Sequence, residues 1–137
     1  MNKPSSVPAS LLLALLRNIG IGLSLALMLV TCAAAAAPNW KIAVEQAPKI
    51  RANYPTDLRV RITDSKGKPV TGATVELVIT MIDMDHGEHK TPATMTAPGV
   101  YDGRTTFFMV GAWWLEVRAK RGSEVLSHKV KFDIPPG

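Results

Sequence analysis

The sequence of 137 residues predicts an all-β domain that follows an apolar N-terminal segment. From Trp40 onward, apolar and polar residues alternate with a period of two, which is typical of half-buried strands. Turns that contain glycine and proline separate these stretches, and the 3.6-residue period of an amphipathic helix is missing from this part of the sequence. Together these observations predict short antiparallel strands packed in two layers.

The N-terminal segment has the layout of an export signal. Lys3 and Arg17 precede an apolar stretch at residues 19–30, and the small-residue sequence TCAAAAAPNW follows it. A basic start, an apolar centre and a small-residue end are the features of a secretory signal peptide. We therefore expect the protein to be exported to the periplasm or cell envelope.

The boundary of this segment can be placed near residue 37. We interpret residues 1–37 as the signal peptide, cleaved after Ala36 or Ala37, and residues 38–137 as the mature domain. Two alternatives stay open. At 1.5 Å per helical residue, the apolar segment is about long enough to span a bilayer of roughly 30 Å as an uncleaved anchor. In addition, Cys32 ends the sequence LVTC, which approximates the box in which a bacterial lipoprotein cysteine is acylated.

Composition narrows the chemistry that the mature domain can perform. Cys32 is the only cysteine of the chain, so the mature domain has no thiol for a disulfide or a metal. The net charge of +5 comes from basic residues that are scattered and not interleaved with aromatic residues. We expect no nucleic-acid partner, and any soft-metal chemistry must use methionine or histidine.

The first strands can be read directly from the alternation. WKIAVEQ and DLRVRITD each have one apolar and one polar face. The turn DSKGKPVTG then leads into ATVELVIT, whose inward phase continues to Met81. We therefore expect Met81 to lie in the core.

Three further strand candidates complete the domain. They are GVYDGRTTFFMV, GAWWLEVRAKRG and EVLSHKVKFDI, and a turn at Gly122 and Ser123 joins the last two into a hairpin. Six or seven short strands in about 100 residues fit a sandwich of two antiparallel sheets of the immunoglobulin-like type.

Two aromatic residues and a histidine in the hairpin need separate interpretation. Trp113 is phased toward the core, whereas Trp114 points to the opposite face. Trp114 is a candidate for contacting a partner or shielding a bound cation, and an aromatic side chain lying across the sheet is the alternative. His128 shares a face with Leu126 and Val130, so we expect it to be partly buried and hydrogen-bonded to the backbone.

The stretch MIDMDHGEHK concentrates side chains that bind metals. Met84 supplies a thioether, and His86 and His89 supply imidazoles. A thioether favours Cu(I), while imidazole serves both oxidation states of copper and also zinc. Gly87 permits a bend that would bring the second histidine toward the first. The pattern predicts a copper site, and a solvated loop is the alternative interpretation because nearby histidines also occur in loops by chance.

Other residues could complete or support this site. Met95 and Met109 are additional candidate thioether ligands, although methionine is also a common core residue. Asp83, Asp85 and Glu88 make the stretch acidic, which would attract a cation and support the histidines.

Catalysis is not expected from this sequence. It offers no nucleophile paired with a base, and its glycines do not form a phosphate-binding loop. We therefore assign no catalytic residues and expect that the protein is not an enzyme.

Two short motifs follow the methionine and histidine stretch. One is Gly-x-Tyr at Gly99 and Tyr101, and the other is Met-x-Gly-x-Trp from Met109 to Trp113. In this order, residues 40–134 resemble the YtkA-like and FixH group of small exported or membrane-anchored bacterial domains.

The resemblance implies an immunoglobulin-like β-sandwich outside the cytoplasmic membrane. FixH relatives are linked to copper supply and to the assembly of cbb3-type oxidases, so a membrane or envelope protein complex is the implied partner. The resemblance places Met84, His86 and His89 in the family's methionine and histidine turn, and Met109 at the methionine of Met-x-Gly-x-Trp. A second hypothesis stays open, in which the domain binds no metal and docks on such a complex through Trp114.

Overall fold

The computed structural model describes residues 37–45 and 49–137. Seven strands lie within these ranges: β1 Lys41–Glu45, β2 Pro55–Thr63, β3 Thr74–Met81, β4 His89–Ala97, β5 Val100–Thr106, β6 Gly111–Arg121 and β7 Glu124–Ile134. The prediction of an all-β domain is confirmed. The predicted signal peptide, as far as Ala36, and Cys32 lie outside the described residues. Within those residues, no helix has the length and apolar character needed to cross a membrane.

The strands form a nearly closed antiparallel sheet in the order β1-β2-β5-β4-β3-β6-β7. Strand β4 belongs to both layers of the resulting sandwich, because residues 89–93 pair with β3 and residues 94–97 pair with β5. Trp40 precedes β1 and lies against Arg121 of β6, with the guanidinium carbon 5.0 Å from the ring centroid. This contact brings the residue before β1, the first strand of the order, close to β6, the last but one.

Strand β4 is the element that the sequence patterns did not reveal. Its sequence, HKTPATMTA, contains few apolar residues and has Pro92 near its centre. Proline cannot donate to a neighbouring strand and is therefore confined to strands with a free edge. Pro92 pairs with Glu76 of β3, and the pairing with β5 begins only at Thr94, so the proline is accommodated. His89 is consequently the first residue of a strand.

One hydrophobic core is shared by both layers of the sandwich. The predicted phases are confirmed, since Met81 is 6% exposed and Trp113 1% exposed, whereas Trp114 on the outer face is 38% exposed. At one end of this core the Phe107 ring lies 5.7 Å from Trp113 and 5.8 Å from Phe132, measured between ring centroids. The remaining core is mainly aliphatic and includes Leu58, Val60, Ile62, Leu77, Ile79, Leu115 and Val117.

The Gly-x-Tyr motif is part of the fold. Gly99 has a φ of +73°, and a Cβ atom there would lie 2.8 Å from the carbonyl oxygen of Ile62 and from Pro69. The buried hydroxyl of Tyr101 donates to the carbonyl of Val70 at 2.8 Å. The motif therefore fastens β5 to the turn between β2 and β3.

The prediction for His128 is wrong, because this residue is exposed. It faces Val117 across the pairing of β6 with β7, on the side that the alternation predicted. However, β7 is the last strand in the sheet order, so one of its edges has no neighbouring strand among the described residues. Burial along β7 becomes complete only at Phe132 and Ile134.

Candidate metal centre

Two loops meet at one end of the sandwich. Residues 82–88 connect β3 to β4, and residues 107–110 connect β5 to β6. The backbone N–H of Ile82 donates to the carbonyl of Ala112 at 2.9 Å, directly beyond the pairing of Met81 with Trp113. The methionine and histidine stretch is thereby held next to the Met-x-Gly-x-Trp segment.

A cleft of about 280 Å³ opens between these loops, and its lining consists of His86, His89, Phe108, Met109 and Trp113. Three of the predicted ligands therefore share one cleft: two imidazoles and one thioether. Pockets for organic ligands usually occupy about 300–1,000 Å³, so this cleft lies just below that range. The two imidazoles and the thioether of its lining, rather than its size, suit a metal ion.

His89 is directed into the cleft by strand register. It faces Ile79 of β3, which is fully buried, and its side chain shares that inner face. The imidazole packs on Phe108, with ring centroids 4.7 Å apart and ring planes inclined by 59°. Phe108 is a site residue that the sequence analysis missed. The adjacent pair Phe107 and Phe108 was the available signal, because Phe107 is fully buried and its neighbour is left at the surface.

Met109 is positioned by the tryptophan of its own motif. The indole Nε1–H of Trp113 donates to the carbonyl of Met109 at 3.0 Å. Between them, Gly111 has a φ of +124°, and a Cβ atom there would come within 3.1 Å of the Met81 side chain. The spacing Met-x-Gly-x-Trp thus forms a tight turn. It leaves Met109 40% exposed above a buried indole.

The bend at Gly87 is present, as the sequence predicted. Gly87 has a φ of +74°, a conformation that favours glycine. Its backbone N–H donates to a carboxylate oxygen of Asp85 at 3.0 Å. The Asp85 carboxylate therefore stabilises the turn that separates His86 from His89.

Glu88 is also engaged away from the cleft. Its carboxylate accepts hydrogen bonds from Arg118 at 2.7 and 3.3 Å, and the ammonium of Lys90 lies 3.5 Å away. The hydrogen bonds from Arg118 are the main reason that the pKa of Glu88 is lowered from its ordinary value. The carboxylates of this stretch were predicted to support the histidines, but none of the residues lining the cleft is acidic.

Met84 does not share the cleft with the histidines. It is 44% exposed and lines a separate depression of about 230 Å³ together with Asp83 and Asp85. The bend that brings His89 toward His86 comes after Met84, so the thioether stays on the other side of the loop.

Met95 and Trp114 also lie outside the cleft. Met95 is six residues beyond His89 on β4, which at roughly 3.3 Å per residue places it about 20 Å away. Trp114 is on the outer face, paired with Thr80 of β3 and Lys131 of β7. Of the predicted ligands, the structure brings together His86, His89 and Met109.

Carboxylate and cysteine side chains are not among the ligands of the candidate site. Within residues 37–45 and 49–137, no group of three or more His, Cys, Asp or Glu side chains is arranged to hold a metal ion. The cleft instead combines two histidines with a methionine, and thioether sulfur favours soft ions such as Cu(I).

A larger depression of about 680 Å³ lies on the outer face of β2 and β5. Arg59 binds Asp102 there at 2.8 Å, and Arg104 binds Asp57 at 2.6 Å. Hydrogen bonds from arginine are the main reason that the pKa values of the Asp102 and Asp57 carboxyls are lowered. These charges neutralise one another, and the depression has the character of a solvated sheet surface.

Comparison with known proteins gives a family and a fold. A family model described as YtkA-like matches residues 34–118. The FixH part of the resemblance stays a prediction. A search of the curated proteins found no significant match.

Two solved structures are similar to this chain. The Lin-41 filamin domain is 18% identical, with 74% of this chain and 97% of that chain covered and a TM-score of 0.47. An engineered protein is 16% identical with a TM-score of 0.52, and the match covers 74% of this chain but only 21% of the engineered one. At this identity, the similarity to the engineered protein concerns the fold alone.

Proposed function

This chain belongs to the YtkA-like family, and from that premise we propose that it is an exported domain that binds and transfers copper as Cu(I). The proposed ligands are His86, His89 and Met109. The observation that carries the proposal is their convergence on one cleft, although Met109 lies twenty residues beyond His89 in the sequence. The bend at Gly87 and the hydrogen bond from Trp113 to Met109 support the same arrangement.

The lining of the cleft favours a monovalent soft ion. Thioether sulfur prefers Cu(I), and imidazole binds it as well. The two imidazoles would also serve a divalent ion, so the thioether of Met109 is the ligand that favours Cu(I). The rings of Phe108 and Trp113 are compatible with a nearby cation, because aromatic faces attract positive charge.

The exposure of the ligands supports transfer of the ion rather than permanent storage. Met109 is 40% exposed and His86 is also exposed, so a second protein could reach the ion without unfolding either loop. We propose a membrane or envelope protein complex as the recipient, in line with the export signal in the sequence and with the resemblance to FixH.

A copper titration tests this proposal. Protein expressed from the full sequence and recovered from the cell envelope would be titrated with Cu(I) under reducing conditions against a chromophoric chelator. We expect about one Cu(I) per chain, and we expect the double variant His86→Ala, His89→Ala to bind none. His128→Ala is the matched control, because this exposed histidine lies on β7, outside the cleft lining. If the wild-type protein takes up no Cu(I), the proposal is lost.

The second candidate function is docking without metal. Trp114 and Ile82 are each 38% exposed, and Ile82 lies beside Ala112, two residues from Trp114, on the same outer face. If this surface binds an envelope complex, Trp114→Ala should weaken capture of the complex while copper content stays unchanged. Loss of capture in the histidine variant alone would argue against docking through Trp114.

A further inference from the structure

We infer that Arg118, on the sheet face opposite the cleft, is a positioning residue for the copper ligand His89, because it holds the preceding Glu88 on that opposite face. This inference rests on the proposed function of the cleft. Its structural part can be tested in the absence of copper, so the two proposals can fail independently.

The contacts of Arg118 form a fixed two-sided clamp. Its guanidinium donates to Glu88 at 2.7 and 3.3 Å and to Glu116 at 2.7 and 3.0 Å. Glu116 lies on the same strand as Arg118, and its hydrogen bonds orient the guanidinium toward the loop. A planar guanidinium that binds carboxylates through two N–H groups has a defined direction, which a single point charge lacks.

The clamp reaches across β3. Arg118 pairs with Glu76 of β3, whereas His89, which follows Glu88, pairs with Ile79. Contact between Arg118 and Glu88 must therefore pass over Val78, which is only 1% exposed although it belongs to the outer face. The ion pair ties the start of β4 to β6 from the outside of the sandwich.

Side-chain alternation transmits this restraint to the cleft. Glu88 directly precedes β4, so holding its side chain on the outer face fixes the direction in which the strand begins and favours an inward His89, with Lys90 outward again. The imidazole then packs on Phe108 with the centroids 4.7 Å apart. Without the clamp, the first residues of β4 would fray at the loop, because a strand end with few buried apolar contacts opens readily. The histidine would then lose its fixed position before copper binds.

The first test uses nuclear magnetic resonance on the copper-free protein. Ring protons of His89 should be displaced from their random-coil shifts by the adjacent Phe108, and Phe108→Leu would identify that contribution. We expect Arg118→Met to move the His89 signals toward random-coil values. Arg121→Met is the matched control, since Arg121 is on the same strand but pairs with Glu124 at 3.1 Å. Unchanged His89 signals in Arg118→Met would overturn the inference.

The second test measures the affinity for Cu(I) by competition with a chromophoric chelator. Arg118 acts on His89 only through a partly exposed ion pair with Glu88, and such pairs contribute little, so we expect a loss of affinity of about two- to fivefold for Arg118→Met and for Glu88→Gln. The two substitutions together should cost little more than either alone, because they break the same contact. Arg118→Lys keeps a charge near Glu88 and should recover part of the affinity.

The outcomes separate the two proposals. If the wild-type protein binds no Cu(I), the proposed function fails, and the resonance experiment alone decides the role of Arg118. If the wild type binds Cu(I) and Arg118→Met binds it equally well, the positioning role is refuted while the copper site stands. Should the methionine variant not fold, Glu88→Gln weakens the same contact from the other side and provides the comparison.

Discussion

The outer face of β2 and β5 and the cleft end of the sandwich use their polar side chains in opposite ways. On the outer face, Arg59 donates two hydrogen bonds to Asp102 at 2.8 and 2.9 Å, and Arg104 donates two to Asp57 at 2.6 and 3.1 Å. At the cleft end, two imidazoles and a thioether line a space whose other walls are aromatic. Among the hydrogen bonds of the described residues, none involves the imidazole of His86 or His89.

This difference shows that the size of a depression is a poor guide to its role. The depression on the outer face is larger, at about 680 Å³ against about 280 Å³, yet its arginines and carboxylates neutralise each other. The smaller cleft is lined by imidazoles that make no hydrogen bond within the described residues. Paired charges maintain a soluble sheet surface, whereas ligand-type side chains without internal partners are available to an ion.

The largest effect on the difference between these two regions is expected when the tryptophan beneath the cleft is removed. Trp113→Ala deletes a side chain that is only 1% exposed, and we expect the free energy of unfolding to fall by about 3–5 kcal/mol. Urea denaturation would measure it, and copper binding should be lost as well. Trp113→Phe should retain most of the packing and lose the hydrogen bond to Met109, at a cost of about 1 kcal/mol. Full stability of the alanine variant would contradict this account of the core.

A gentler substitution separates the ligand from the fold. Met109→Leu keeps a similar apolar volume but removes the sulfur, so we expect affinity for Cu(I) to fall about tenfold, or by about 1.4 kcal/mol. The free energy of unfolding should change by less than about 1.5 kcal/mol, because the swap nearly conserves volume. Met95→Leu is the control, being a similarly exposed methionine on β4 outside the cleft. Equal copper affinities of the two variants would remove Met109 from the site.

The smallest effect is expected on the charged face. Hydrogen bonds from Arg59 are the main cause that lowers the pKa of Asp102 in the folded protein. A lowered pKa means that the ionised carboxylate stabilises the fold above its unfolded pKa near 4, and that this contribution is lost as pH falls through the folded value. Thermal melting should therefore show a slightly smaller loss of stability below about pH 4 in Asp102→Asn than in the wild type. Its copper affinity at neutral pH should equal that of the wild type.

Local sequence patterns predicted the parts of the fold that depend on side-chain alternation. Met81 and Trp113 are buried and Trp114 is exposed because each strand has one face against the core. The alternation of apolar and polar residues along the strand indicates which face that is. The same reasoning failed for His128, since burial also depends on whether a strand has a neighbour on both sides. A strand's place in the sheet is set by distant segments.

The membership of the cleft was only partly predictable for a similar reason. His86 and His89 were found from their proximity in the sequence, but Met84, which is even closer to His86, lies in a different depression. The bend at Gly87 and the beginning of β4 at His89 decide which side chains face the cleft. Phe108 joins the site because the β5 to β6 loop packs beside them, and the pair Phe107 and Phe108 signals an exposed aromatic side chain but not which residues it contacts.

The loop between β3 and β4 has consequences for protein engineering because both of its ends are anchored to β6. The backbone bond from Ile82 to Ala112 fixes the start, and the ion pair between Glu88 and Arg118 fixes the end. A replacement segment joined to the chain at these two points would lie over the same aromatic residues of the cleft. The sandwich could thus serve as a scaffold in which different metal-binding loops replace this one while the strand register is retained.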